Sequence, residues 1–299
     1  MRTVRDGVPR TRNHARPNGI ATSVIADIER RRRSPDGIGS RWIHRRSDQF
    51  RQGTHMASPT TVLLRRLHEE SRTEIVARAR AQFQGSNEDF LSLAEEYEAI
   101  APRLRGRFLE TFGLSSDDFA SPEGSPLSLA VSPETGGFLR NLVLSQRPAR
   151  ILELGSSCGV STLYFAEALR TLGSGVVVAT ERDALKCTRL RNHVSTAGLN
   201  AYVDVREGDV FETVAELDGT FDMVFIDVWA DVYLKVFKEI ERLLRPGSVV
   251  LADNMYTAED AVRPYKHYLD DDPRFSTTTL DFESGIEFTV VVSHAGMSS

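Results

Sequence analysis

From residue 149 onward, short apolar runs alternate with longer amphipathic stretches, and this alternation constrains the fold more than any other feature of the chain. "ARILELG" (149–155) reads as a buried strand, and "STLYFAEALRTLG" (161–173) as a helix stopped by a glycine. "GVVVATE" (175–181) is a second strand, followed by a helix over 182–199. "AYVDVREGD" (201–209) and "FDMVFID" (221–227) are a third and a fourth strand. A helix over 230–247, ended by Pro246-Gly247, leads to a fifth strand, "SVVLADN" (248–254). A further helix over 258–271 precedes a closing hairpin of "FSTTTLDF" (275–282) and "GIEFTVVVSH" (285–294). Strands that alternate with helices in this way predict an α/β fold, a mostly parallel seven-stranded sheet with helices on both faces. In such sheets ligands bind beyond the carboxyl ends of the strands. No internal repeat is present.

Upstream the texture differs. Residues 1–55 hold thirteen Arg, no Lys and five acids, giving +8 and leaving −13 for the remainder of a chain whose total is −5. They show little apolar periodicity and read as a basic, disordered extension, or as an over-extended start with Met56 as the initiator. A basic arm can touch nucleic acid, but no aromatic interleaving or reader module accompanies this one. Residues 56–130 read as a helical cap. "TVLLRRLHEESRTEIVARARAQF" (61–83) places Val62, Leu63, Leu67, Ile75, Val76 and Ala79 near helical spacing, and a second helical region follows over 87–114. Helical segments here are able to swap across a homodimer. The domain proper then runs over 131–299, opening on a helix with Ser132 as N-cap and Pro133 at N1.

Composition bounds the function class. No apolar run reaches about 18 residues, so a membrane span is not expected. No charged-then-apolar-then-small-residue pattern opens the sequence, so a secretory signal is not expected. Two cysteines, Cys158 and Cys187, cannot build a disulfide framework, so a reduced, cytoplasmic setting is expected with both thiols buried.

"ELGSSCG" (153–159) lies where the first strand turns into its helix. Gly155 and Gly159 let backbone pass close to a ligand at a helix N-terminus. A dinucleotide fingerprint would read G-x-G-x-x-G, but the spacing here is G-x-x-x-G. That spacing, with Glu153 just ahead and strand–helix alternation around it, resembles the first motif of class I S-adenosylmethionine (SAM) methyltransferases. The resemblance implies a Rossmann-like fold with SAM as cofactor. Glu181, 26 residues after Gly155, ends the second strand where an acid can accept both ribose hydroxyls. By the same likeness Asp209, in "EGD" (207–209), faces the adenine, and Ser161 contacts the methionine portion. "AVSPETGG" (130–137) resembles the family's cofactor-covering segment, with Val131 and Gly136 near the methionine end.

"FIDVWADVY" (225–233) ends an apolar run on Asp227, and "VVLADNM" (249–255) brings Asp253 and Asn254 to the tip of the strand expected beside it. Two carboxylates and an amide oxygen there make a hard-oxygen site suited to Mg²⁺ or another divalent cation. With "SGIEF" (284–288), these stretches resemble the catechol O-methyltransferases and their metal-dependent bacterial relatives over roughly 131–292. The resemblance implies that Asp227, Asp253 and Asn254 hold the metal. It also implies that Asp227 borders the cofactor, that Glu287 accepts a hydrogen bond from the substrate's second hydroxyl, and that Trp229 walls the substrate pocket. The implied reaction is O-methylation of a small catechol-like or other vicinal-oxygen molecule, in specialised metabolism.

One position departs from that family. The resemblance places a proton-accepting lysine three residues after the metal aspartate, where this chain has Ala230. Lys266 and His267, in "RPYKHYL" (263–269), are the candidates to replace it, and a substrate acidic enough to need no base is the other solution. Val228 replaces a histidine that packs near adenine in the catechol enzymes. Two alternatives stay open: methylation of an amine or non-catechol hydroxyl with the metal for orientation only, and a SAM-binding protein without turnover. His193 is expected to point to solvent from its helix.

Overall fold

A computed structural model of the 299-residue chain describes residues 58–82, 86, 89, 92, 127–281 and 283–293. All lie in one compact unit, Phe50–Ser299. The expected basic extension over 1–55 and most of the second cap region over 87–114 fall outside the described residues.

The elements follow the alternation read from the sequence. Helix α1 (Pro59–Gln82) and α2 (Pro133–Gln146) precede β1 (Arg150–Leu154), α3 (Val160–Leu172), β2 (Val176–Glu181), α4 (Ala184–Thr196) and β3 (Val203–Glu207). Then come α5 (Val210–Ala215), β4 (Met223–Ile226), α6 (Tyr233–Ile240), β5 (Val249–Ala252), α7 (Glu259–Asp271), β6 (Phe275–Leu280) and β7 (Ile286–Val291). The sheet has seven strands in the order β3-β2-β1-β4-β5-β7-β6. β1 to β5 pair in parallel, while β7 runs antiparallel between β5 and β6. Strand order reverses between β1 and β4, which puts a ligand crevice beyond their carboxyl ends.

Residue alternation along the strands builds two cores, because successive side chains leave opposite faces of the sheet. Ile151, Val177, Met223, Phe225, Val249 and Leu251 pack with Leu63, Leu139, Leu163 and Leu190 of α1 to α4. Leu152, Val178, Val224, Ile226, Val250 and Ala252 pack with Val214, Phe237 and Tyr265 of α5 to α7. β1, β2, β4 and β5 are covered on both sides, which is why they read as apolar runs, whereas the edge strand β3 is partly exposed and carries Asp204 and Arg206.

Local signals set several ends. Ser132 caps α2 by accepting from the Thr135 amide at 3.0 Å, with Pro133 at N1. Asp183 caps α4 through the Leu185 and Lys186 amides. Gly173 ends α3 in the left-handed region. Helix α1 buries Leu63, Leu64 and Leu67, but Val62, expected on the same face, is 58% exposed. The single helix expected over 230–247 is split. A 3₁₀ turn (Ala230–Val232) precedes α6 and another (Glu241–Leu243) follows it. Among the described residues no helix is long and apolar enough to cross a membrane.

Candidate active site at the tips of β1, β4 and β5

The turn after β1 is shaped around its neighbours. Gly155 has φ +86°, and a Cβ there would stand 2.3 Å from the Asp227 carbonyl oxygen, so only glycine lets the β1 tip lie against the β4 tip. Gly159 has φ +88° and would meet Leu190 of α4 at 2.2 Å. Glu153, wholly buried, accepts hydrogen bonds from the hydroxyls of Ser156, Ser161 and Thr162 at 2.5–3.1 Å. Burial pushes its carboxyl up to about 7, against the pull of those three donors. The Ser161 hydroxyl, expected to face the cofactor's methionine portion, is thus donated to Glu153. Ser157, at φ +46°, has a buried hydroxyl without a hydrogen-bond partner. Its amide donates to Glu181 Oε2 at 2.9 Å, and the Asp183 amide donates to Glu181 Oε1 at 2.9 Å. Two backbone donors therefore fix the acid that the sequence singles out for ribose.

The tips of β4 and β5 bring Asp227, Asp253 and Asn254 together. Asn254 Nδ2 donates to Asp227 Oδ1 at 3.0 Å, from a left-handed backbone with φ +63°. Thr257 Oγ1 donates to Asn254 Oδ1 at 3.1 Å. A hydroxyl both donates and accepts, so Thr257 also serves an amide turned over to present Oδ1 toward Asp227. Asp253 Oδ1 accepts from the Asn254 amide at 2.7 Å and from the Ser284 hydroxyl in the turn between β6 and β7. From below, the buried Tyr233 hydroxyl donates to the backbone carbonyls of Ile226 at 3.3 Å and Asp253 at 3.1 Å, bracing the two strand ends. Burial first, then the charges of Asp253 and Glu153, hold Asp227 well above the usual carboxylate range. Burial likewise raises Asp253. Trp229 stands beside this group at 41% exposure, and Ala230 starts the 3₁₀ turn after it.

Glu287 does not join them. It pairs with Ala252 across β5 and so points to the face of α6 and α7, whereas the alternation of β4 and β5 turns Asp227 and Asp253 the other way. There it is wholly buried, accepting from Thr277 and, at 2.5 Å, from Thr279 of β6. Lys266, on α7, is paired with Asp270 and lies 3.6 Å from Glu287, on that same face. His267 is exposed on α7. Both candidate bases thus lie on α7, which packs on the same face of the sheet as Glu287.

The remaining candidates frame the crevice. Asp209 is exposed beyond β3 and caps α5 by accepting from the Phe211 amide at 2.9 Å. Val131 is buried with the first core. Gly136 lies against the Tyr164 ring, where a Cβ would stand 2.1 Å from Cε2. The expectation that His193 faces solvent is corrected: its ring is half-buried and its Nδ1 lies 2.8 Å from the Cys158 carbonyl. Sequence pattern alone does not point to Ser157, Ser284 or Tyr233, since each acts through a contact that only the fold creates.

Both implied ligands pass a chemical test. For a nucleoside-bearing cofactor, the crevice offers a glycine turn, an acid held by two amides and a hydroxyl lacking a partner. For a hard cation it offers two buried carboxylates, the charge of Asp253 raising the proton affinity of Asp227, with an amide beside them. Among the described residues no three His, Cys, Asp or Glu side chains cluster as a metal centre, so the amide is needed to complete the set.

Residues 152–255 match the family model of a methyltransferase domain. Catechol O-methyltransferase of Sus scrofa is 34% identical over 135 residues, which are 43% of this chain and 72% of that relative. The chain belongs to the catechol O-methyltransferase family of SAM-dependent methyltransferases. Another catechol O-methyltransferase family relative, from Niastella koreensis, is 33% identical over 146 residues, covering 48% of this chain. The chain spans 65% of that relative's length. A cofactor-bound crystal structure from MTB superposes with a TM-score of 0.53 at 26% identity, covering 60% of this chain and 87% of that one.

Proposed function

We propose that this family member is a SAM-dependent O-methyltransferase that acts on a hydroxyl of a small catechol-like or vicinal-oxygen molecule oriented by Mg²⁺ or another divalent cation. The observation that carries this reading is the convergence of Asp227, Asp253 and Asn254 at adjoining strand tips, against the glycine turn of β1. Glu181 would hold the ribose, and the turn at Gly155 would admit the cofactor's backbone-side approach. Asp227, Asp253 and the Asn254 amide would hold the cation, with Tyr233 and Ser284 fixing where those groups stand.

When bound, SAM supplies a methyl group to the acceptor oxygen and leaves as S-adenosylhomocysteine, while a divalent cation favours the ionised form of that hydroxyl. The chain's own contribution is placement. Trp229, exposed beside Asp227, offers an aromatic wall to a planar acceptor. Ala230 offers no base where the resemblance implies one, which favours acceptors whose hydroxyl is acidic. A cytoplasmic setting belongs to this proposal and rests on the absence of a disulfide framework, with Cys158 and Cys187 free and buried.

The test is Mn²⁺ binding to SAM-loaded protein, followed by loss of the free-ion paramagnetic signal, with Asp253→Ala as control. About one site per chain, abolished in the variant, supports the reading. No binding by the parent chain would sink the metal-dependent mechanism. Transfer of labelled methyl from SAM to a panel of catechols then reports turnover.

A further inference from the structure

Glycine at 159 makes the cofactor turn close, and it also makes it loose. The carbonyl of Cys158 and the amide of Gly159 belong to one peptide plane. That amide donates to the Ser156 carbonyl at 2.8 Å and closes the turn. Rotating the plane would break this bond and reverse the groups presented at the N-terminus of α3. A residue with a side chain resists such a rotation by steric limits on φ, whereas glycine accepts φ of either sign at little cost. The restraint has to come from outside the turn. His193 supplies a contact of the required kind, since its Nδ1 lies 2.8 Å from the Cys158 oxygen. A carbonyl oxygen only accepts, so Nδ1 carries the proton and donates. Leu190, one turn earlier on α4, packs on the Cα of Gly159, so α4 grips the turn at two successive residues.

We infer that His193 is a positioning residue that locks the Cys158–Gly159 peptide plane and so preorganises the turn for the adenosyl cofactor. The inference rests on the proposed SAM site. His193 touches neither cofactor nor acceptor in this role. Its effect falls on cofactor affinity, because a turn that samples two orientations binds in only one of them.

The experiment is calorimetric titration of S-adenosylhomocysteine into the full chain and into His193→Ala, His193→Asn and His193→Gln, with thermal melts of each. An asparagine amide can stand where Nδ1 stands, whereas a glutamine amide stands nearer Nε2. The parent chain and His193→Asn are expected to bind within about twofold of each other, and the Ala and Gln variants about five- to tenfold more weakly, the loss of one hydrogen bond. kcat at saturating SAM should change by less than about twofold while KM for SAM rises, a split that general destabilisation does not produce. If His193→Ala melts early, the Asn and Gln pair carries the comparison. Equal affinity in the Gln variant and the parent overturns the inference and leaves the cofactor reading standing. Failure of the parent chain to bind S-adenosylhomocysteine overturns both.

Discussion

Asn254 donates from Nδ2 to Asp227 Oδ1 across 3.0 Å, so β5 and β4 are joined at their tips by an amide and a carboxylate that burial and Asp253 hold above its ordinary proton affinity. A carboxylate whose folded pKa is raised costs nothing while protonated in both states. It destabilises the folded chain as pH rises from the ordinary value through the raised one. Asp227→Asn removes that cost. The metal-free variant is expected to melt above the parent at pH 8, and to lose the increase in melting temperature that Mg²⁺ or Mn²⁺ gives the parent. A variant that melts lower without metal, or still responds to it, would refute the role given to this pair.

Glu153 makes the same argument with a magnitude attached. Its carboxyl moves from an ordinary 4.5 to about 7, chiefly through burial. The penalty is absent below about pH 4.5 and reaches about 3 kcal/mol above pH 7. Glu153→Gln keeps the shape and one acceptor oxygen for the Ser156, Ser161 and Thr162 hydroxyls. Urea unfolding of both proteins between pH 5 and 8 should give the variant the flatter profile, with the difference growing as pH rises. Parallel profiles would mean that Glu153 is no more protonated folded than unfolded.

The sheet was legible because each buried strand is a short apolar run bounded by glycine, proline or an acid. Residues 149–155 and 221–227 announce β1 and β4 for that reason. Helix α5 was not legible, since six residues after Asp209 carry too little periodicity to be seen. The site divided along a similar line. Asp227, Asp253 and Asn254 follow strand ends, and neighbouring ends meet wherever the strands pair. Glu287 lies inside a strand, and which face it takes depends on register with β5, a property of two segments. Lys266 follows Glu287 to that face because α7 covers it. The bond from His193 to Cys158 spans 35 residues and has no periodic signature.

Gly136 tests how tightly the expected cofactor cover is held. A methyl there would stand 2.1 Å from the Tyr164 ring, and that ring cannot simply swing aside because its hydroxyl lies 3.0 Å from His68 Nε2 of α1. Gly136→Ala should therefore cost about 1–3 kcal/mol, the range for overpacking. Tyr164→Ala in the same chain should recover a large part of that loss, a coupling read by a double-mutant cycle of urea midpoints. Additive effects would show that the two residues do not meet.

Ala230 offers the most direct test of the chemistry. It starts the 3₁₀ turn three residues after Asp227, partly buried against the second core, and the lysine charge that acts on Asp227 is that of Lys186 on α4. The four lysines of the chain are Lys186 on α4, Lys235 and Lys238 on α6, and Lys266 paired on α7. Under the proposed O-methylation, with no base at position 230, the acceptor proton leaves with help from the cation, and turnover should fall steeply as the acceptor's pKa increases. Ala230→Lys places an amine on the turn, its stem long enough to leave the apolar surface. If the proposed O-methylation is correct, the variant should gain about tenfold or more in kcat on weakly acidic catechols and little on strongly acidic ones, short of the about 10²–10⁴-fold that a well-positioned general base contributes. The slope of log kcat against acceptor pKa, measured for both proteins, decides it. Parallel slopes, with no gain on the weak acids, would place proton removal elsewhere in the site.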